Sequence, residues 1–103
     1  MRAELIHELP AEWADVSNMF VALGDEQRQR ILLTFGPRER LNVSQIAAAS
    51  TLSRTAVSHH LKVLRQAGAL RSEKVGKEVF YWVDKKNITN TLQRVIGYVK
   101  NNI

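Results

Sequence analysis

The chain of 103 residues has no cysteine, which excludes disulfides, thiolate metal sites and thiol redox sensing together. It also lacks any apolar run near the ~20 residues a membrane-spanning helix needs. Its first residues are interrupted by Glu4 and Glu8, so they do not read as a secretory signal, and the cytoplasm is the expected location. No internal repeat or low-complexity tract is present. A chain of this length makes a single domain, residues 1–103, with a modest core.

What is present is an uneven spread of charge. The formal net charge is +5. Residues 1–24 set Arg2 against Glu4, Glu8, Glu12 and Asp15, a net of −3. Residues 53–78 set Arg54, Lys62, Arg65, Arg71, Lys74 and Lys77 against Glu73 and Glu78, a net of +4. A basic surplus confined to one stretch suits contact with phosphates.

That stretch opens with a helix running from Ser53 to Gly68. Val57, Leu61 and Leu64 recur at i, i+4, i+7 and define its inner face. Ser53 stands where an N-cap belongs, and Gly68 where a left-handed residue ends a helix. At ~100° per residue, Thr55, His59, Lys62 and Gln66 fall on the far side, with Ser58 on the flank. No carboxylate occurs there, and a helix lying against nucleic acid excludes carboxylates. Just before it, residues 41–50 read as a short helix. Asn42 is its N-cap, Gln45 the capping-box partner, and Val43, Ile46 and Ala47 the inner face. About four residues, Ser50 to Ser53, separate the two helices, the length a helix-turn-helix needs. An ordinary helical hairpin inside a core is the bland alternative. The carboxylate-free face and the segment that follows favour the first.

Taken in order, Met1–Leu9 is a short arm whose Leu5, Ile6 and Leu9 can dock. Pro10 suits the first position of a helix. Trp13, Val16, Phe20 and Leu23 mark that helix's face, and Gly24 closes it. Asp25 caps the next helix, with Ile31, Leu32 and Phe35 inward and Arg28 and Arg30 outward; Gly36-Pro37 stops it. After Gly68 the period changes to 2. Residues 70–75 and 78–83 flank Gly76-Lys77, which fits a type II′ hairpin turn with Lys74 and Lys77 at a basic tip. A helix-turn-helix followed at once by such a hairpin is a winged helix-turn-helix, mainly α with a small β-hairpin, in ααααββα order. Asp84 then caps a last helix with a stripe of Ile88, Leu92, Val95, Ile96, Val99 and Ile103. A small core has limited room for so long a stripe, simple coverage of the monomer core being the other reading. The stripe is expected, with Trp13 and Phe20 of the first helix, to form the interface of a homodimer.

With these residues in place the chain resembles the ArsR (ArsR/SmtB-like) family of winged-helix transcriptional regulators over about Phe20 to Val83. Residues 22–32, ALGDEQRQRIL, are similar to the family's A-L-x-D-x-x-R-x-x-I-L. Residues 53–68, SRTAVSHHLKVLRQAG, are similar to its S-x-x-x-V-S-x-H-L-x-x-L-x-x-A-G. The strand ending Val79-Phe80-Tyr81-Trp82-Val83 resembles its G-R-x-x-x-Y strand, with Lys77 in the Arg position. The resemblance implies a homodimeric repressor that releases double-stranded DNA on a signal, with a small-molecule inducer among the candidate partners. The metal-sensing half of the family is not reproduced. Leu41–Gln45 carries no thiol where many members have cysteine, and Asp84 is followed by Lys86, Gly97 and Lys100 at the remaining ligand positions. One carboxylate among lysines does not hold zinc. No metal or other cofactor is expected.

The expected DNA contacts are Arg54, Thr55, Ser58, His59, Lys62, Lys74 and Lys77. Arg54 suits either a guanine edge or a phosphate, Thr55 and His59 suit base edges, and Ser58 and Lys62 suit phosphates. His60 falls near the core boundary, where a buried hydrogen-bonding role or a phosphate-facing one is expected rather than a metal ligand. Adjacent His59 and His60 point to different faces and cannot chelate together. Ser58 beside histidine has no oxyanion-stabilising turn, so no enzyme is expected. Trp13 and Trp82 suit a core or an interface, an aromatic pocket for an organic inducer being the other reading. A winged helix that binds protein through the same surface is the competing function.

Overall fold

Side-chain caps cut this chain into its helices. The computed structural model describes residues 1–103. Its elements are α1 (Glu4–His7), a 3-10 turn (Ala11–Trp13), α2 (Ala14–Leu23), α3 (Glu26–Thr34), β1 (Leu41–Asn42), α4 (Val43–Ala48), α5 (Arg54–Gln66), β2 (Leu70–Val75), β3 (Glu78–Val83) and α6 (Lys85–Asn102). The Asp25, Asn42, Ser53 and Asp84 side chains each accept from a backbone N–H three residues on. Each thereby satisfies one of the orphan donors of a first turn. At Asn42 the reciprocal bond is also made, the Asn42 N–H donating to Gln45 Oε1 at 2.9 Å, which completes the capping box.

The core is the meeting of α2, α3, α4 and α5 with β2. Met19, Ala22, Ile31, Ile46, Val57, Leu61, Leu64, Ala69 and Leu70 form one buried cluster. The mainly helical winged helix-turn-helix expected from the pattern is what forms, with one addition. β1 pairs antiparallel with β3, giving a three-stranded sheet in the order β1-β3-β2. Pattern reading alone misses β1, because two residues carry no period and Asn42 already serves as a cap. Gly76 takes a positive φ of 63° at the first position of the hairpin loop, as the turn requires.

Several local expectations are corrected. In α2 the buried residues are Val16, which the expected face includes, and Met19 and Ala22, which it omits; Phe20, assigned to that face and to a dimer interface alike, is 49% exposed. The helix turns its narrower Met19–Ala22 face inward, where small Ala22 lets α3 and α5 approach. Gly24 is not left-handed, its φ being −81°. It is needed because a Cβ there would lie 2.9 Å from the Phe20 carbonyl oxygen. Pro10 precedes the 3-10 turn rather than opening the helix itself. The N-terminal arm makes one helical turn, α1, and its Leu5 and Leu9 border a hollow with Trp13 and Tyr98. In α6 the deepest residue is Thr91, which the apolar stripe omits. Its small side chain sits on the helix that packs chiefly on α2. Ile88 joins the core, while Ile96 and Val99 are 49% and 50% exposed.

The end of α5 is the tightest joint. Gly68 takes φ 83°. The Ala69 N–H donates to the Leu64 carbonyl at 2.9 Å and the Gly68 N–H to the Arg65 carbonyl at 3.1 Å. Together these two bonds make a Schellman motif. Asn87 of α6 then donates through Nδ2 to the Gly68 carbonyl at 2.9 Å, and a Cβ at Gly68 would collide with that amide. Gly68→Ala is expected to lower stability by at least ~1–2 kcal/mol, the cost of an L residue in left-handed backbone. Urea unfolding checks it, and Asn87→Ala in the same background separates the clash from the backbone cost.

Candidate nucleic-acid interface

The site is built on α5 because its opposite side is fixed. Val57, Leu61 and Leu64 are each 0% exposed, so the residues about half a turn away from them face out. Arg54, Thr55, Ser58, His59 and Lys62 are all exposed, as are Lys74 and Lys77 of the hairpin. No Asp or Glu occurs between Arg54 and Gln66.

Two expected contacts from different elements are brought together. Arg54 and Lys77 border the same cleft of about 220 Å³, between the start of α4, the start of α5 and the hairpin. Ser44 and Asn42 line it as well. The Arg54 guanidinium donates to the Ser44 hydroxyl, so the first helix of the pair positions the arginine of the second. Ser44 was not among the expected site residues, and its only signal was its place in the first turn of α4. Glu78 also reaches this cleft, where its Oε1 accepts from Asn42 Nδ2 at 3.2 Å. Lys74 stands across from Val79 in the β2–β3 ladder and does not border the cleft.

Behind the ridge, Arg28 departs from its expected direction. Rather than pointing outward it folds over the end of α2, donating through Nε to the Ala22 carbonyl at 2.8 Å and through Nη2 to the Val21 carbonyl at 3.0 Å. Its Nη1 lies 3.3 Å from His60 Nδ1. A guanidinium only donates, so His60 accepts. The partners are 32 residues apart, which is why periodicity in α3 cannot reveal the bond. His60 thus holds the hydrogen-bonding boundary position expected of it, and its ring plane is tilted 57° from that of exposed His59. At the head of α3, the Arg28 backbone N–H donates to Asp25 Oδ1 at 3.1 Å and holds the Asp25 carboxyl below the usual carboxylate range. The cap is therefore complete above the ordinary aspartate value and is lost only as pH falls through the lowered one.

The remaining aromatics divide between two places. Trp13 meets Tyr98 of α6 edge-on at 5.3 Å, beside the ion pair of Arg94 with Asp15. Trp82 lies on the sheet, with the Arg40 guanidinium 3.9 Å above its ring and Arg71 at 5.8 Å.

The ridge, its preceding helix and the hairpin make up a winged helix-turn-helix. The bacterial regulatory protein arsR family model matches residues 25–72. The transcriptional repressor SmtB homolog of Synechocystis is 31% identical over 82% of this chain and 64% of its own length. The cadmium resistance transcriptional regulatory protein CadC of Listeria innocua is 32% identical over 81% of this chain and 70% of its own. Against the first of these the chain spans just under two thirds of the relative. Among solved structures, the homodimeric winged helix-turn-helix DNA-binding domain of Mb0332 from Mycobacterium bovis superposes with a TM-score of 0.70. That match covers 90% of this chain and 85% of that one at 20% identity. The chain belongs to the arsR family of bacterial regulatory proteins. No helix is long and apolar enough to cross a membrane.

Arg28→Lys keeps the charge but loses the fork that spans two carbonyls and His60. It is expected to lower stability by about 2 kcal/mol, the scale of hydrogen bonds to a charged group. Urea unfolding checks the loss. A full set of α5 amide shifts would establish that the ridge itself is retained.

Proposed function

We propose that the chain is a sequence-specific double-stranded DNA-binding transcriptional regulator, a dimeric repressor released by a signal other than a thiol reaction. The observation that carries this reading is the exposed face of α5, which has donors and cations and no carboxylate. Family membership supports it, and on this reading the protein acts in the cytoplasm. In this reading Arg54, Thr55 and His59 meet base edges in the major groove. Ser58 and Lys62 hold phosphates. Lys74 and Lys77 meet the backbone beside the hairpin tip.

The dimer joins α2 and α6 to their copies. Phe20, Ile96 and Val99 stand exposed on these helices, flanked by partly buried Trp13, Leu92 and Val95. Exposed large apolar side chains on two neighbouring helices suit an association site. The Mb0332 domain is described as a homodimer, which favours the same assembly here. A two-fold pair would set two α5 ridges into successive major grooves of a partly palindromic operator, roughly 34 Å apart.

The deciding experiment is protection mapping of the chain's own upstream region, with affinity measured across salt. A protected, partly palindromic site and a steep fall of affinity with salt are expected. A salt-insensitive association with a protein, and no duplex preference, would overturn the reading. Arg54→Ala is expected to cost roughly 1–3 kcal/mol and relax base preference, whereas Lys62→Ala should weaken all duplexes alike and flatten the salt slope. Fluorescence anisotropy on matched and scrambled duplexes measures both. Val99→Glu should give a monomer by light scattering at micromolar concentration, with the fold retained by circular dichroism.

A further inference from the structure

The loop between α3 and β1 carries an arginine where its backbone favours glycine. Gly36-Pro37-Arg38-Glu39 is a tight turn, closed by the Glu39 N–H donating to the Gly36 carbonyl at 3.1 Å. Proline second and a positive φ third are the marks of a type II turn, whose third position prefers Gly or Asn. Arg38 holds it at φ 59°, the one non-glycine residue in the chain with positive φ. A residue kept there against its backbone preference points to work for its side chain.

That side chain borders a cleft of about 370 Å³ between the turn, the end of β3 and the start of α6. Phe35, Pro37, Trp82 and Val83 form its apolar walls, and Arg38 and Lys85 bring cations to it. The volume lies within the roughly 300–1,000 Å³ of small-molecule sites. The aromatic wall is fixed in advance. Arg40 stacks on Trp82 at 3.9 Å and is itself held by Glu73 at 2.8 Å.

Glu39 also lines the cleft, and the carboxylates in and around it are each held by a donor. Glu39 Oε1 accepts from the Gly36 N–H at 3.0 Å, Asp84 Oδ1 accepts from the Asn87 N–H at 3.1 Å, and Glu73 binds Arg40. The chain's two ion pairs, Arg40–Glu73 and Arg94–Asp15, include neither Arg38 nor Lys85. Two uncommitted cations beside a preset aromatic wall select a ligand with a flat apolar body and a negative end.

We propose that this cleft binds a small aromatic carboxylate, its ring against Trp82, Phe35 and Pro37 and its carboxylate between Arg38 and Lys85. Trp82 belongs to the strand that carries the hairpin, and Lys85 opens α6, so an occupant ties the turn, the hairpin and the last helix together. Any consequence for an operator rests on the DNA-binding reading; occupancy of the cleft does not.

The test is a nitrogen-15 NMR titration of the full chain with naphthalene-2-carboxylate, without DNA. A saturable shift of the Trp82 indole N–H is expected, that signal being identified by its loss in Trp82→Phe. Neutral naphthalene-2-methanol should bind at least about tenfold more weakly, as expected when a charge-assisted contact is removed. Arg38→Gln and Lys85→Gln should each weaken the carboxylate several-fold and leave the alcohol unchanged, with the core amide signals unmoved. Equal affinity for acid and alcohol would overturn the proposal. So would shifts centred on Trp13 and Tyr98, or no saturable shift up to the solubility limit. Failure of the DNA-binding reading would show instead in protection mapping, which uses no ligand.

Discussion

Burial of a single stripe on α5 governs the rest of the molecule. Val57, Leu61 and Leu64 are wholly removed from water, each contributing on the order of 1.5–3 kcal/mol. A helix is rigid about its axis, so burying one stripe dictates what the opposite one presents. Thr55, His59 and Lys62 are held outward by the same packing that closes the core, with no dedicated contact of their own. The stripe meets α2, α3, α4 and β2, so anything that rotates α5 disturbs four neighbours at once.

The two ends of α5 are secured differently, and each end serves a different neighbour. At its start, Ser53 accepts from Ala56 and Arg54 reaches back to Ser44, which ties the second helix of the motif to the first. At its finish, the left-handed Gly68 turns the chain directly into β2, and Asn87 of α6 clamps the turn. Hairpin and last helix therefore share one hinge. Arg28 and His60 add a third tie from the side, linking the α2–α3 corner to the middle of α5. Ridge, hairpin and last helix are thus tied to one another by a few side-chain bonds in addition to the buried stripe.

Legibility in the sequence follows the range of the interaction. Caps, the Asn42–Gln45 box, the Val57–Leu61–Leu64 stripe, the left-handed Gly68 and the Gly76 turn all act within a few residues. Each leaves a pattern that can be read directly. β1 was hidden because its pairing partners, Tyr81 and Phe80, lie far along the chain and two residues show no alternation. Arg28 was misplaced for the same reason: a wheel gives a direction, and a long flexible side chain can fold back against it. Phe20 and Met19 exchanged places because both are apolar and lie one residue apart. Only the neighbours of α2 decide which faces in. The Arg54–Ser44 bond and the Arg40–Trp82 stack depend on tertiary approach alone, so nothing local announces them.

One consequence concerns how much of α6 the single chain can use. The helix packs chiefly on α2, with Thr91 its one buried residue and Arg94 reaching Asp15 and the Glu12 carbonyl. These polar contacts tie α6 to the start of α2 and the turn before it, while Ile96 and Val99 stay half exposed as an apolar strip the single chain leaves uncovered. On the proposed two-fold pairing that strip meets its own copy, and the acidic N-terminal segment stays with it, away from the basic ridge. On that proposal the charge asymmetry of the sequence gains a spatial meaning: residues 1–24 would lie near the pairing helices, and residues 53–78 where phosphates are expected.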